Sequence, residues 1–437
     1  MKTCAVVGGG IGGLSAALLL AHYGYRVEVF EQQAQVGGKA LSTSSGGFRF
    51  DMGPTLFTMP FVLEEIFNET GRDLRDYMEL QHLEETTRYF YADGTEFRAY
   101  SDMGHYYAEA KRAFTDPLQR LSRYFSYCKT IYDLTADIFM FAPFHEWIDM
   151  VTDLDKWARI FEIYKMDPLR SMHRANKWFF KDPKLLQLMD RFATFNGSSP
   201  YRVPATLNII AHVEHMGASV PKQGIHRIPL ALAEAAAEEG AVINLNTPVE
   251  AINYNGSRVT GVSVGGRKYA FDIVVSNSDV TNTYISLMGK RNMLPAMKYR
   301  MLKPSTSALV FYWGVKGNYP QLATHNILFS EVYRKEFRDL IRREICPEDP
   351  TVYIYISSRF NPDDAPKGAE NWYVMINAPY QVNQDWEDEV SRSRAAVLNK
   401  IRNYLGIDIE DNIQYQEVPT PPDIERRTDS RAGSIYG

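Results

Sequence analysis

The opening of the chain alternates short apolar runs with a glycine cluster and a helical stretch. Thr3 to Val7 is apolar and β-compatible, Gly12 to Tyr23 carries helical spacing, and Tyr25 to Phe30 reads as a second strand. This order is a strand, turn, helix, strand unit. Helical pattern resumes from Phe61 to Phe67, and Arg88 to Tyr100 predicts a hairpin in which Tyr89, Phe90 and Tyr91 face Phe97 and Tyr100 across a two-residue Asp93-Gly94 turn. From Met103 to Leu188 the pattern is mainly helical and crowded with aromatic residues, as expected of an inserted helical block. A helix over Arg227 to Glu239 and a strand over Val242 to Leu245 follow. Turns at Asn255-Gly256 and Gly265-Gly266 then precede a strand over Phe271 to Ser276, and the β content here reads as antiparallel. Ala308 to Val315, Val352 to Ser357 and Trp372 to Asn377 are strand-like and could floor a chamber, and Trp386 to Tyr404 reads as a helix.

A length of 437 residues exceeds what one growing core supports, so two or three domains are expected. With 45% hydrophobic and 23% charged residues, the chain has material for a substantial core. A net charge of -5 and the lack of a basic stripe argue against nucleic acid as a partner. Cys4, Cys128 and Cys346 are too few and too scattered for a disulfide framework, which implies a reducing compartment. Glycines interrupt the apolar N-terminus where a secretory signal would be continuous. No uninterrupted apolar run is long enough to span a bilayer, and surface association stays open.

Gly8-Gly9-Gly10-Ile11-Gly12-Gly13 fits G-x-G-x-x-G, a weak signal alone in a chain with 29 glycines. Its position between a strand and a helix makes it specific, because free backbone N–H groups and the positive helix end then face a pyrophosphate. Gly8 permits the tight turn, Gly10 the approach of backbone to phosphate, and Gly13 close packing of helix on strand. Glu31, at the end of the second strand, is placed to accept hydrogen bonds from a ribose hydroxyl and disfavours a 2′-phosphate. The further glycine pair in Gly37-Gly38-Lys39 and the rigid Gly53-Pro54 favour FAD over NAD, since they provide a second close approach to the ligand. No second fingerprint follows, so a separate nicotinamide domain is not expected.

These motifs, with Asp51-Met52-Gly53-Pro54-Thr55, Phe195 to Tyr201, Pro221 to Ile225 and Ser276-Asn277-Ser278-Asp279, resemble bacterial phytoene desaturases and related carotenoid desaturases over nearly the whole chain. The early motifs are shared with flavin amine oxidases and with flavin-free escorts of prenylated GTPases. The resemblance implies an α/β fold: a Rossmann-like FAD-binding domain with an inserted mixed β-sheet and helical substrate domain, as in amine oxidases and GDI. The expected division is 1–85 and 221–290 for FAD, 86–220 for substrate and membrane, 291–405 for the substrate-side sheet and helices, and 406–437 for the start of a C-terminal FAD segment. The family pattern continues past Ile435-Tyr436-Gly437 with a further glycine-rich stretch, so the expectation is either a truncated segment or weak binding of FAD.

By the same resemblance, Gly8, Gly10, Ile11, Gly12 and Gly13 face the pyrophosphate, and Glu31 the ribose. Lys39 reaches the phosphates, Val249 in a strand offers its backbone to the adenine, Gly53, Pro54 and Thr55 lie near the flavin ring, and Gln32, Gly38 and Asn277 complete the cofactor-binding set. Many relatives carry arginine where Lys39 stands, which gives up a bidentate grip on phosphate. The implied activity is an FAD-dependent oxidoreductase acting on CH–CH bonds of an apolar polyene, peripheral to a membrane on the cytoplasmic side, with quinone or oxygen as electron acceptor. A flavin amine oxidase and a flavin-free prenyl-lipid carrier are the alternatives.

Desaturation beside a polyene needs a hydride acceptor and loss of a proton, and the polyene itself spreads the developing charge. No catalytic side chain is therefore assigned; His173, Arg191 and Tyr201 are candidates by position. Phe139, Phe141, Phe144, Trp147, Trp157, Trp178, Phe179 and Phe180, interleaved with Lys165, Lys177 and Lys181, suit either a membrane-interface face or a core face with solvated lysines. Met140, Met150, Met166, Met172 and Met189 could line a tunnel, though filling core gaps is commoner. His212-x-x-His215 has helical spacing but no third ligand, so no metal is expected.

Overall fold

The computed structural model describes residues 1–136, 163–289 and 294–436. Its first element is the strand Thr3–Val7, four of whose five residues are buried, followed by the helix Ile11–His22 and the strand Arg26–Phe30. The helix buries Leu14, Ala17, Leu18 and Ala21, a stripe at spacings of three and four that lies on the sheet. Arg227–Glu238 packs beside it and contributes Ile228, Leu232 and Ala235 to the same core.

Four parallel strands form this sheet, in the order Val242–Asn244, Arg26–Phe30, Thr3–Val7 and Ile273–Ser276. The expectation of antiparallel β structure after residue 242 therefore holds only for Ala251–Asn255, Arg258–Val264 and Arg267–Ala270. Val242–Asn244 and Ile273–Ser276 are single strands fed by distant crossovers, and parallel pairing is the arrangement such connections give.

A seven-stranded mixed sheet forms the second layer: Ile413–Glu417, Ser307–Lys316, Ala369–Ala378, Val352–Tyr355, His325–Leu328, Glu85–Phe90 and Glu96–Tyr100, with only His325–Leu328 and Glu85–Phe90 parallel. Strand alternation divides its residues between two faces. Leu309, Phe311, Trp313, Ile354, Trp372 and Val374 lie under the helix Trp386–Leu405, which Asp385 caps at its start and Gly406 ends in the left-handed region. The opposite face carries Tyr89, Tyr312, Tyr353, Tyr355, Tyr373 and His325. Helices Met103–Ala113, Leu118–Thr135, Met172–Phe179 and Pro183–Asp190 bury Tyr124, Phe180, Leu188 and Met189 against the Tyr89 and Phe97 end of the sheet.

Three details depart from the sequence reading. The hairpin closes through three residues: Tyr91 N–H bonds Thr95, Gly94 N–H bonds Tyr91, and Gly94 takes φ +82°, a turn with a bulge that suits the sheet's twist. Val249 precedes its strand, which begins at Ala251. The segment 406–437 starts within the seven-stranded sheet, because Ile413–Glu417 pairs with Ser307–Lys316, and only from Pro421 onward does it reach the first sheet's loops.

Candidate functional site

The glycine loop forms a cradle without side chains. Gly8 adopts φ +97°, and a Cβ on Gly13 would collide with the Gly8 carbonyl oxygen. Cβ atoms on Gly10 and Gly12 would stand 2.7 and 2.9 Å from the Asn277 amide. No side chain caps the helix that starts at Ile11, and its first turn holds no acid, so its leading N–H groups face outward with the positive end of the dipole. Ile11 and Gly12 are exposed at this end.

Around the cradle the expected residues assemble, although they come from four stretches of chain. Glu31 is buried and accepts from Gly9 N–H at 2.7 Å and Gln33 N–H at 2.8 Å, which leaves lone pairs on both oxygens. Gln32 is exposed beside it. The segment before Val249 is tied to the same spot, since Thr247 N–H bonds the Glu31 carbonyl, and Val249 packs near Phe30. Gly37 N–H donates to the Gly9 carbonyl, and Gly38 lies against Gly10 closely enough that a Cβ would be 3.2 Å from its Cα. Asn277 N–H continues the sheet by bonding Val7. The Lys39 ammonium, lowered in pKa by burial, donates to the carbonyls of Ile435 at 3.0 Å and Ser434 at 3.4 Å. The segment 421–436 thus reaches the cradle, and Gln33 also donates to its Arg427 carbonyl.

The loop 51–55 carries the site to the second sheet. A Cβ on Gly53 would overlap the Lys39 carbonyl, which fixes glycine there, and Pro54 is exposed. Thr55 Oγ1 and Tyr353 OH share a hydrogen bond of 2.6 Å, Tyr353 OH contacts His325 Nδ1 at 2.7 Å, and Tyr355 stacks on His325 and donates to Asp51. Burial pushes His325 down to about 3, with the Arg191 charge adding to the effect. Tyr353, Tyr355 and His325 gave no signal of a site in the sequence; Thr55 and Asp51, which Tyr353 and Tyr355 meet, lie 298 and 304 residues away in the chain.

Two of the three candidates of the substrate half, His173 and Tyr201, come together. His173 Nδ1 is 2.6 Å from Asp190, whose carboxyl burial raises, and its ring lies 4.7 Å from that of Tyr201. Arg191, next in chain to Asp190, bonds Tyr89 OH at 2.9 Å. Asp190 and Glu214 were not foreseen; an acid in a helical pattern ordinarily reads as solvated.

Met166, Met172 and Met189 are buried core fillers. Phe179 and Phe180 pack inward, whereas Trp178 is 68% exposed. Phe139, Met140, Phe141, Phe144, Trp147, Met150 and Trp157 lie outside the described residues. His212 and His215 face Tyr132 and Phe125, and no group of three metal-ligating side chains occurs among the described residues.

An uncapped helix end, a cradle that any Cβ would fill, a nearby cation and a carboxylate with open lone pairs fit a dinucleotide laid from Gly10 toward Glu31. The model of the flavin-containing amine oxidoreductase family matches residues 11–314. Over its full length the chain is 38% identical to a 1-hydroxycarotenoid 3,4-desaturase of Flavobacterium sp., covering 89% of that protein. It is 32% identical, again over its full length, to a 4,4'-diaponeurosporene oxygenase of Staphylococcus haemolyticus, covering 87% of that protein. A variant of putrescine oxidase has the same fold, with a TM-score of 0.64 at 14% identity over 98% of this chain and 86% of that one.

Proposed function

This chain belongs to the flavin-containing amine oxidoreductases and, within them, to the carotenoid desaturases, and from that premise we propose that it desaturates a carotenoid or its acyclic polyene precursor with FAD as the redox cofactor. The observation that carries the reading is the Thr55–Tyr353 hydrogen bond. It joins the loop beside the dinucleotide cradle to a sheet face of tyrosines that is buried and largely apolar.

Bound FAD supplies a hydride acceptor for a substrate C–H bond. The chain's own residues do the rest. Gly8, Gly10, Ile11, Gly12 and Gly13 hold the pyrophosphate with backbone N–H groups, Lys39 and Gly38 approach the phosphates, and Glu31 with Gln32 binds the ribose. Val249 faces the adenine, Gly53, Pro54 and Thr55 flank the flavin half, and Asn277 lies against the glycine cradle. Tyr89, Tyr355 and Tyr373 align an extended polyene by ring contact. The positive charge left by hydride loss spreads along the polyene, so a weak acceptor suffices, and the adjoining carbon gives its proton to solvent water as the new double bond forms.

Among the described residues no helix is long and apolar enough to cross a membrane. Access to a lipid-soluble substrate is instead assigned to a surface. Tyr164, Leu169 and Trp178 are 75, 95 and 68% exposed and stand among Arg170, Arg174, Lys177 and Lys181, a composition suited to the interface of an anionic membrane. On this reading the protein attaches to the cytoplasmic leaflet, and membrane quinone or oxygen reoxidises the flavin.

The test is incubation of the protein and FAD with anionic liposomes carrying an acyclic carotenoid. The expected result is a red-shifted carotenoid spectrum, one step per added conjugated double bond, with the protein sedimenting with the vesicles. An unchanged carotenoid alongside peroxide release from an amine would instead favour amine oxidation.

A further inference from the structure

Between Asp279 and Glu331 the chain carries no acidic residue, although its net charge is -5, and the helix Leu294–Met301 lies inside this stretch. One side of the helix packs on the protein: Ala296 is fully buried, and the Tyr299 ring stacks on Tyr284 at 6.2 Å. The other side is bare. Met297, Met301 and Leu302 are 49, 84 and 53% exposed, and Met297 and Met301, four positions apart, stand on one face. Lys298 and Arg300, each three positions from one of these methionines, are exposed and form no ion pair among the described residues, while Lys303 meets Glu344 at 3.2 Å. Arg431 holds the end of the helix by donating to the carbonyls of Tyr299 at 2.7 Å, Leu302 at 2.9 Å and Arg300 at 3.0 Å.

Single exposed apolar side chains are ordinary, whereas a cluster of them rimmed by cations marks a contact surface. Protein interfaces are depleted in lysine and enriched in aromatic rings, and this face has lysine and no exposed ring. At a lipid surface long cationic side chains reach the phosphates while the apolar ones beside them enter the acyl boundary, and an anionic lipid supplies the negative charge that this acid-free stretch lacks. We infer that Met297, Lys298, Arg300, Met301 and Leu302 form a second docking surface for an anionic membrane, distinct from the one at Tyr164, Leu169 and Trp178, so that two contacts fix the tilt of the enzyme on the bilayer. The segment 197–204 links the two: Thr306 N–H donates to the Gly197 carbonyl at 3.4 Å, and Ser171 pairs with Pro204. This rests on the membrane attachment proposed above.

The test is sedimentation of the FAD-loaded protein with vesicles of phosphatidylcholine, alone and with added phosphatidylglycerol, at low and high salt. Wild type is expected to bind the phosphatidylglycerol vesicles and to release them as salt rises. Lys298→Glu/Arg300→Glu and, separately, Met301→Glu/Leu302→Glu lower this partition at least about tenfold. Melting temperature and flavin spectrum stay as in wild type, because these side chains are exposed. Conversion of a carotenoid dispersed in detergent is likewise unchanged, whereas conversion from the vesicles falls. Variants that bind vesicles as wild type does overturn this surface and leave the one at Tyr164, Leu169 and Trp178 standing. Intact vesicle binding together with loss of a dimer in the variants overturns it too, and makes the face a contact between copies of the chain. A wild type that sediments with no vesicle overturns the membrane attachment itself, and this surface with it.

Discussion

At the residue scale the site depends on atoms that are absent as much as on those present. Gly13 abuts the Gly8 carbonyl, so Gly13→Ala must push the turn open and swing the first N–H groups of the helix off line. Overpacking of this kind costs about 1 to 3 kcal/mol, and the same displacement acts on the phosphate contacts. The expected outcome is FAD affinity reduced at least about tenfold in a fluorescence titration, with a lowered melting temperature. These residues were legible in the sequence because the constraint is local: a strand, five glycines within six positions and a carboxylate after the next strand. Tyr353 and Tyr355 were not legible, since their meaning arises only when Thr55 and Asp51 are brought to them from distant stretches, and Glu214 reads in the sequence as a solvated acid.

At the scale of elements, the helical pattern of Trp386 to Tyr404 and the continuous apolar run of Ala308 to Val315 announced the helix Trp386–Leu405 and the strand Ser307–Lys316. Pairing was harder. Ile273–Ser276 joins Thr3–Val7 across most of the chain, and nothing within either strand names its partner. The hairpin loop was misjudged for the opposite reason: Asp-Gly suits both a two-residue turn and a three-residue turn with a bulge, and backbone angles decide. The two faces of the larger sheet separate stability from chemistry. Trp313 is fully buried on the face under the helix and donates to Gln416 at 2.9 Å. Trp313→Ala is expected to cost about 3 to 5 kcal/mol in urea denaturation. The protein that remains folded should still show a flavin spectrum, because the tyrosine face is untouched.

For the whole molecule, burial in the interior shared by sheet and helices shifts its ionisable groups, and His325 is the clearest case. Burial takes His325 from its ordinary 6.5 to about 3. As pH falls below 6.5 the unfolded ring takes up its proton while the folded ring does not. The folded state therefore loses up to about 1.4 kcal/mol per pH unit from this group down to about pH 3. Glu214, raised by burial, acts in the opposite sense and is common to the wild type and a His325 variant. His325→Phe should accordingly gain stability relative to wild type as pH is lowered through this window, measured by denaturant titration at a series of pH values. A constant difference would mean that His325 is already charged in the folded protein.

The same buried interior, joined through Thr55 and Tyr353 to the dinucleotide cradle, underlies the central claim that the flavin takes a hydride from a polyene C–H bond. The most direct measurement is the visible absorbance of the FAD-loaded protein mixed anaerobically with an acyclic carotenoid, hydroxylated and plain, and separately with an amine. Bleaching of the flavin band by carotenoid, with none by amine, is the predicted result. A flavin that stays oxidised with every carotenoid, or bleaches only with the amine, would contradict it.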